Sequence, residues 1–172
     1  HLTTRRQRQM CIRDSNNFED YMNPKIKNIL PDPFILHDME IATNRIVEII
    51  KEKKKIGIFG DYDVDGSTST ALLSKYLREA GVEFEFYIPD RIKEGYGPNE
   101  DAFTRLVDSN CELIITLDCG TTAFKEIDFT NKKGVDVIVI DHHKQGKELP
   151  KAFAIVNPNK QSDNSNLVNL CA

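Results

Sequence analysis

Apolar residues divide the chain into short segments of two kinds. Residues 55–60 (KIGIFG), 112–117 (ELIITL) and 135–140 (VDVIVI) are almost continuously apolar, the pattern of strands buried on both faces of a sheet. Residues 82–88 (VEFEFYI) alternate and stop at Pro89, which predicts a strand with one face less covered; residues 152–156 predict a short fifth strand. Between these runs the period becomes helical. Residues 39–54 place Ile41, Ile46, Val47, Ile49 and Ile50 on one face behind Asp38 as an N-cap. Residues 69–80, opened by Gly66-Ser67-Thr68, put Leu72, Leu73, Tyr76 and Leu77 on one face, with Gly81 as the stop. Residues 99–109 and a segment capped by Thr121 or Thr122 and running to about residue 132 supply two more helices. Strand and helix therefore alternate. Parallel neighbours need such crossovers, so the expected fold is α/β: a Rossmann-like, mostly parallel sheet with helices on both faces.

Two stretches lie outside this pattern. Residues 1–15 carry four arginines against one aspartate and have no amphipathic period; they resemble translated adaptor sequence and are set apart as a non-native leader. Residues 16–37 are polar and end in closely spaced prolines, an extended lead-in. Residues 38–172 are then one domain. Without the leader the chain is acidic, net −7, which argues against broad electrostatic coating of DNA but leaves room for bound metals and a local basic rim. No stretch approaches the roughly 18 consecutive apolar residues of a membrane span, and no secretory signal is visible, so a cytoplasmic location without membrane attachment is expected. The four cysteines are scattered and read as reduced thiols.

The chemistry sits where the strands stop. The first ends in Asp61, Asp63 and Asp65, the third in Asp118 and the fourth in Asp141-His142-His143. In a parallel sheet these ends share one rim, so six side chains, Asp61, Asp63, Asp65, Asp118, His142 and His143, should converge there. Carboxylates so close repel one another unless a cation intervenes. Aspartate with imidazole suits Mn²⁺, Zn²⁺, Fe²⁺ or Co²⁺, and the carboxylate majority leans towards Mn²⁺ or Mg²⁺. A calcium loop is disfavoured, because Leu72 stands where its twelfth-position glutamate would be. So many anionic ligands fit two ions sharing a bridging carboxylate, a device that hydrolyses phosphoesters.

The motifs GDYDVDG, TLDCG and VIDHH, in this order, resemble the DHH phosphoesterase superfamily; the segment DRIKEGYG and the later VNPN are similar to its single-strand-specific exonucleases. The resemblance implies a two-ion, Mn²⁺-preferring enzyme that degrades single-stranded DNA from the 5′ end in repair and recombination. A single-strand-binding protein and a helicase are the partners it implies. It makes Asp61, Asp63, Asp65, Asp118 and His142 metal ligands, with Asp118 bridging. Asp141 would orient its neighbour, His143 would contact the scissile phosphate or leaving group, and Arg91 would fork onto phosphate oxygens. The same metals would serve a phosphodiesterase of oligoribonucleotides or cyclic dinucleotides, or a pyrophosphatase. A non-catalytic regulatory domain is the reading of another class. The sequence departs from the superfamily in two ways. Phe59 stands where several relatives carry a histidine, and no later aspartate offers a fourth motif, so the chain is expected to be the amino-terminal, incomplete part of a longer catalytic domain, weak or inactive as an enzyme by itself.

Overall fold

The computed structural model of the protein describes residues 22–95 and 97–172, so the leader 1–15 lies outside the described residues. Two units are distinguished, His1–Pro33 and Phe34–Ala172. The described part of the first contains one helical turn, Ile26–Ile29. A 3-10 turn follows at Pro33–Ile35. The lead-in is thus not simply extended over its described part; its prolines limit helices to single turns, and Pro33 is accepted at a first position that needs no N–H.

The second unit runs α1 (Met39–Lys51), β1 (Lys55–Gly60), α2 (Val64–Glu79), β2 (Phe84–Tyr87), α3 (Glu100–Asp108), β3 (Cys111–Leu117), α4 (Phe124–Lys132), β4 (Asp136–Ile140) and β5 (Ala154–Val156). The strands form one parallel sheet of order β2-β1-β3-β4-β5. Alternation along each strand supplies two cores. Ile56, Ile58, Leu113, Ile115, Leu117 and Ile138 pack with Ala42 and Ile49 of α1 and Leu77 of α2. Phe59, Ile114, Val137 and Val139 pack on the opposite face with Phe103 and Leu106 of α3 and Ile127 of α4. Fully burying each such large side chain stabilises the fold by roughly 1.5–3 kcal/mol.

Three expectations are corrected. First, α2 begins at Val64 rather than Ser69, because Asp63 caps it by accepting from Gly66 N at 3.0 Å. Its inward face is Gly66, Thr70, Ser74 and Leu77, while Leu72 and Tyr76 are 72% and 58% exposed. The cause is close approach. A Cβ on Gly66 would lie 2.5 Å from the Asp61 carbonyl oxygen, and one on Gly60 would lie 1.9 Å from Thr70 Oγ1. Second, Asp38 does not cap α1; it is left-handed at φ 67°, and its carboxylate accepts from Lys160 Nζ at 2.7 Å and Ile155 N at 3.3 Å. The helix ends at Lys51, and Lys53, also left-handed at φ 56°, turns the chain into β1. Third, neither Thr121 nor Thr122 caps α4, whose N-cap is Ala123 without a side-chain bond.

Candidate metal centre

The register of the sheet aligns the strand ends. Gly60 pairs with Leu117, Leu117 with Ile140, and Ile140 with Val156. The next residues, Asp61, Asp118, Asp141 and Asn157, therefore form a row along the carboxyl edge. The first three are tied to the neighbouring strand end through their own N–H groups: Asp61 to Leu117 O (3.2 Å), Asp118 to Ile140 O (2.9 Å) and Asp141 to Val156 O (3.1 Å). All four are buried, three of them being carboxylates. The strand order reverses between β1 and β3, and open α/β sheets bind ligands at such a switch point.

Asp118 is the centre of the cluster. It is left-handed at φ 62°, a conformation aspartate tolerates better than most residues. Its carboxylate is 1% exposed, and neither oxygen accepts a hydrogen bond from a donor among the described residues. His142 Nε2 lies 3.1 Å from Oδ1 without hydrogen-bond geometry, and the same nitrogen lies 3.7 Å from Asp65 Oδ2. Burial, together with the neighbouring carboxylates of Asp63 and Asp65, raises the Asp118 carboxyl to about 7. Asp61 Oδ1 accepts from Tyr62 N at 2.7 Å, whereas its buried Oδ2 has no donor among the described residues, and burial raises this carboxyl too. Asp63, bonded by Gly66 N at the start of α2, is held below the usual carboxylate range.

Ligand atoms of Asp61, Asp63 and Asp118 lie within 4.8 Å of one another, as do those of Asp118, His142 and His143. The two triads share Asp118. Buried carboxylate oxygens without donors, a carboxyl forced up to about 7 and adjacent imidazoles are the donor set a divalent cation relieves, so the residues present fit Mn²⁺. Asp65 Oδ2 also accepts from Ala172 N at 3.3 Å.

Asp141 lies outside both triads and is engaged at both oxygens. Oδ1 accepts from His142 N (2.7 Å) and His143 N (3.0 Å), and lies 2.7 Å from His143 Nδ1; Oδ2 accepts from Thr121 N at 2.9 Å. Burial pushes this carboxyl up, but the bonds from Thr121 and His143 outweigh it and hold it below the usual range. The ring it orients is that of His143, whereas His142 receives only a backbone contact. Burial alone would lower the His143 imidazole; the carboxylate of Asp141 overrides it and raises the pKa.

Arg91, on the loop after β2, lies outside the triads with its guanidinium 5.3 Å from the centroid of the Tyr62 ring, beside the acidic loop. Phe59 offers no ligand. It is fully buried, with its ring 6.1 Å from Tyr87 and 5.6 Å from Phe103. Cys119 is buried and its thiol is pushed well above the ordinary value, which makes it a packing residue. A cavity of about 310 Å³ opens beside His143, lined also by Gly97, Pro98, Thr121 and Glu126. The sequence placed Thr121 only as a helix cap, and Asn157 and Asn159 only within the VNPN segment, with no part in the site. The Asn-Pro-Asn run directly after a strand was the available signal.

Fold and site together define a class: a doubly wound α/β protein with a carboxylate and imidazole cluster at its switch point. The chain belongs to the DHH family, whose N-terminal domain matches residues 55–170. It is similar to the single-stranded-DNA-specific exonuclease RecJ of Bacillus subtilis, 47% identical over 127 residues covering 74% of this chain and 16% of that protein. The RecJ of Thermus thermophilus is 35% identical over 120 residues, 70% of this chain and 18% of the relative. Among solved structures, exonuclease RecJ bound to manganese matches with a TM-score of 0.69 at 35% identity, covering 74% of this chain and 33% of that one. RecJ of Thermus thermophilus in complex with Mn²⁺ matches with a TM-score of 0.63 at 30% identity, covering 75% and 18%. The expected parallel α/β fold and the resemblance to this superfamily are thereby borne out. The chain spans less than a quarter of the length of the curated relatives it matches.

Proposed function

We propose that this chain is the metal-binding part of the catalytic domain of a DNA exonuclease specific for single strands, hydrolysing phosphodiester bonds from the 5′ end. The observation that carries the reading is Asp118: a buried carboxylate, common to two triads, with no hydrogen-bond donor to either oxygen among the described residues. Asp61, Asp63, Asp65, Asp118 and His142 would hold two Mn²⁺ or Mg²⁺ ions, with Asp118 shared between them. Bound ions of this kind supply Lewis acidity and a water of lowered pKa. The protein's own residues do the rest. Asp141 fixes the His143 ring through Nδ1, and Nε2 would serve the scissile phosphate or leaving oxygen. The raised pKa of His143 increases the fraction carrying a proton to give near neutral pH. Arg91, beside Tyr62, offers a planar fork for phosphate oxygens. The cytoplasm as location, and a single-strand-binding protein and helicase as partners, complete the proposal by resemblance to the family.

The test is calorimetric titration with Mn²⁺ together with digestion of 5′-labelled single-stranded DNA, using dinucleotides and cyclic dinucleotides as competing substrates. Saturable Mn²⁺ binding is expected, with at most weak release of labelled mononucleotide by this part of the catalytic domain alone. Absence of Mn²⁺ binding at millimolar concentration would refute the metal centre, and cleavage of dinucleotides alone would replace DNA as the substrate.

A further inference from the structure

The row of residues at the sheet edge has a fourth member that carries no charge. Asn157 follows β5 just as Asp61, Asp118 and Asp141 follow β1, β3 and β4, and it is fully buried. Its carboxamide is bonded at both polar atoms. Nδ2 donates to Thr121 Oγ1 and to the main-chain carbonyl of His143, both at 2.9 Å, while Oδ1 accepts from Asn159 N at 2.7 Å. Asn159, thus oriented, donates from Nδ2 to the carbonyl of His142 at 2.6 Å. Each histidine is therefore held from two sides. Asp141 takes the N–H groups of His142 and His143, and the two asparagines take their carbonyls.

We propose that Asn157 and Asn159 are positioning residues for the candidate metal centre, fixing His142 and His143 so that both rings face Asp118. The role rests on the metal-site reading above. Asparagine suits it because a carboxamide combines a donor for a carbonyl with an acceptor for a neighbouring N–H, which neither aspartate nor serine offers in the same geometry. A fourth carboxylate in the row would add to the repulsion already evident at Asp118. The anchor extends past the asparagines. Lys160, buried, donates to Asp38 and to the carbonyl of Ile155, so the segment cannot slide along the edge.

The decisive variant is Asn159→Ala, whose side chain is only partly buried, with Asn157→Ala as its more disruptive companion. Asn131→Ala is the control: Asn131 Nδ2 also holds a carbonyl, that of Lys151 at 2.8 Å, but takes no part in the cluster. Mn²⁺ affinity is measured by calorimetry, stability by melting, and, in the metal-free protein, amide exchange of His142 and His143 by NMR. Asn159→Ala should weaken Mn²⁺ binding on the order of tenfold. It should also speed exchange at both histidine amides while melting no lower than Asn131→Ala. Affinity and exchange matching those of Asn131→Ala would overturn the proposal. If the unaltered chain binds no Mn²⁺, the metal reading fails, and the exchange at His142 and His143 alone decides whether the asparagines hold the loop.

Discussion

A single carboxylate concentrates the cost of this site. Asp118 is 1% exposed on a left-handed backbone, with its charge opposed by burial and by neighbouring carboxylates. Its carboxyl is raised in the folded protein, so the folded state favours the proton. Whatever stability this lends the metal-free protein is fully present below the unfolded value near 4 and is lost as pH rises through about 7. A neutral carboxamide at this position would remove that loss without disturbing the backbone, since asparagine accepts the same conformation. Asp118→Asn should therefore raise the stability of the metal-free protein at pH 8 by on the order of 2–4 kcal/mol and change it little at pH 4. Thermal melts at the two pH values check this, and equal effects at both would show that charge is not the cause. The same substitution should weaken Mn²⁺ binding. In the unaltered protein, ion at about a hundred times its dissociation constant should add about 2.7 kcal/mol, removable with a chelator.

Among the elements, α2 shows how the acidic loop is placed. The helix starts within the DxDxDG stretch, so Asp63 caps it and Asp65 lies in its first turn. That start is possible because nothing larger than a hydrogen fits at Gly66, where a Cβ would meet the backbone of Asp61 at 2.5 Å. Gly66→Ala should cost at least about 2 kcal/mol, since the obstruction is main chain and cannot rotate away. Leu72→Lys should change stability by no more than about 0.5 kcal/mol, because that side chain is 72% exposed. Denaturant midpoints of the two variants distinguish this packing from one in which Leu72 and Tyr76 face the core.

For the second unit as a whole, contacts distant in sequence close the fold behind the site. Lys160 and Asp38 are 122 residues apart and join the start of α1 to the segment after β5. Burial raises the Asp38 carboxyl, but its bonds to Lys160 and Ile155 outweigh that and hold it below the usual range. The stability it contributes is present above the unfolded value near 3.8 and is lost as pH falls through the lower folded value. Removing the cation leaves a half-shielded carboxylate and an unpaired Ile155 carbonyl. Lys160→Ala should therefore destabilise the protein by about 3 kcal/mol. A denaturation curve unchanged by that substitution would mean that β5 is anchored by its apolar contacts alone.

The apolar runs of β1, β3 and β4 were legible in the sequence because a strand covered on both faces needs continuous apolar residues, a property of consecutive positions. The acidic and histidine motifs were legible for the same local reason, since each directly follows its strand, and a parallel sheet sends all such ends to one edge. Sequence thus determined the α/β class, the family and the identity of the residues brought together. Tertiary structure decided what depends on distance across the chain. It turned Leu72 and Tyr76 outward, because the close contact of Gly60 and Gly66 with α2 selects the helix face. It drew Asp38 away from capping towards Lys160, and Thr121 towards Asp141 and Asn157. It also made Asp118 the member shared by two triads and Asn157 the neutral end of the row, because both follow from strand register, which hydrogen bonds between distant segments set.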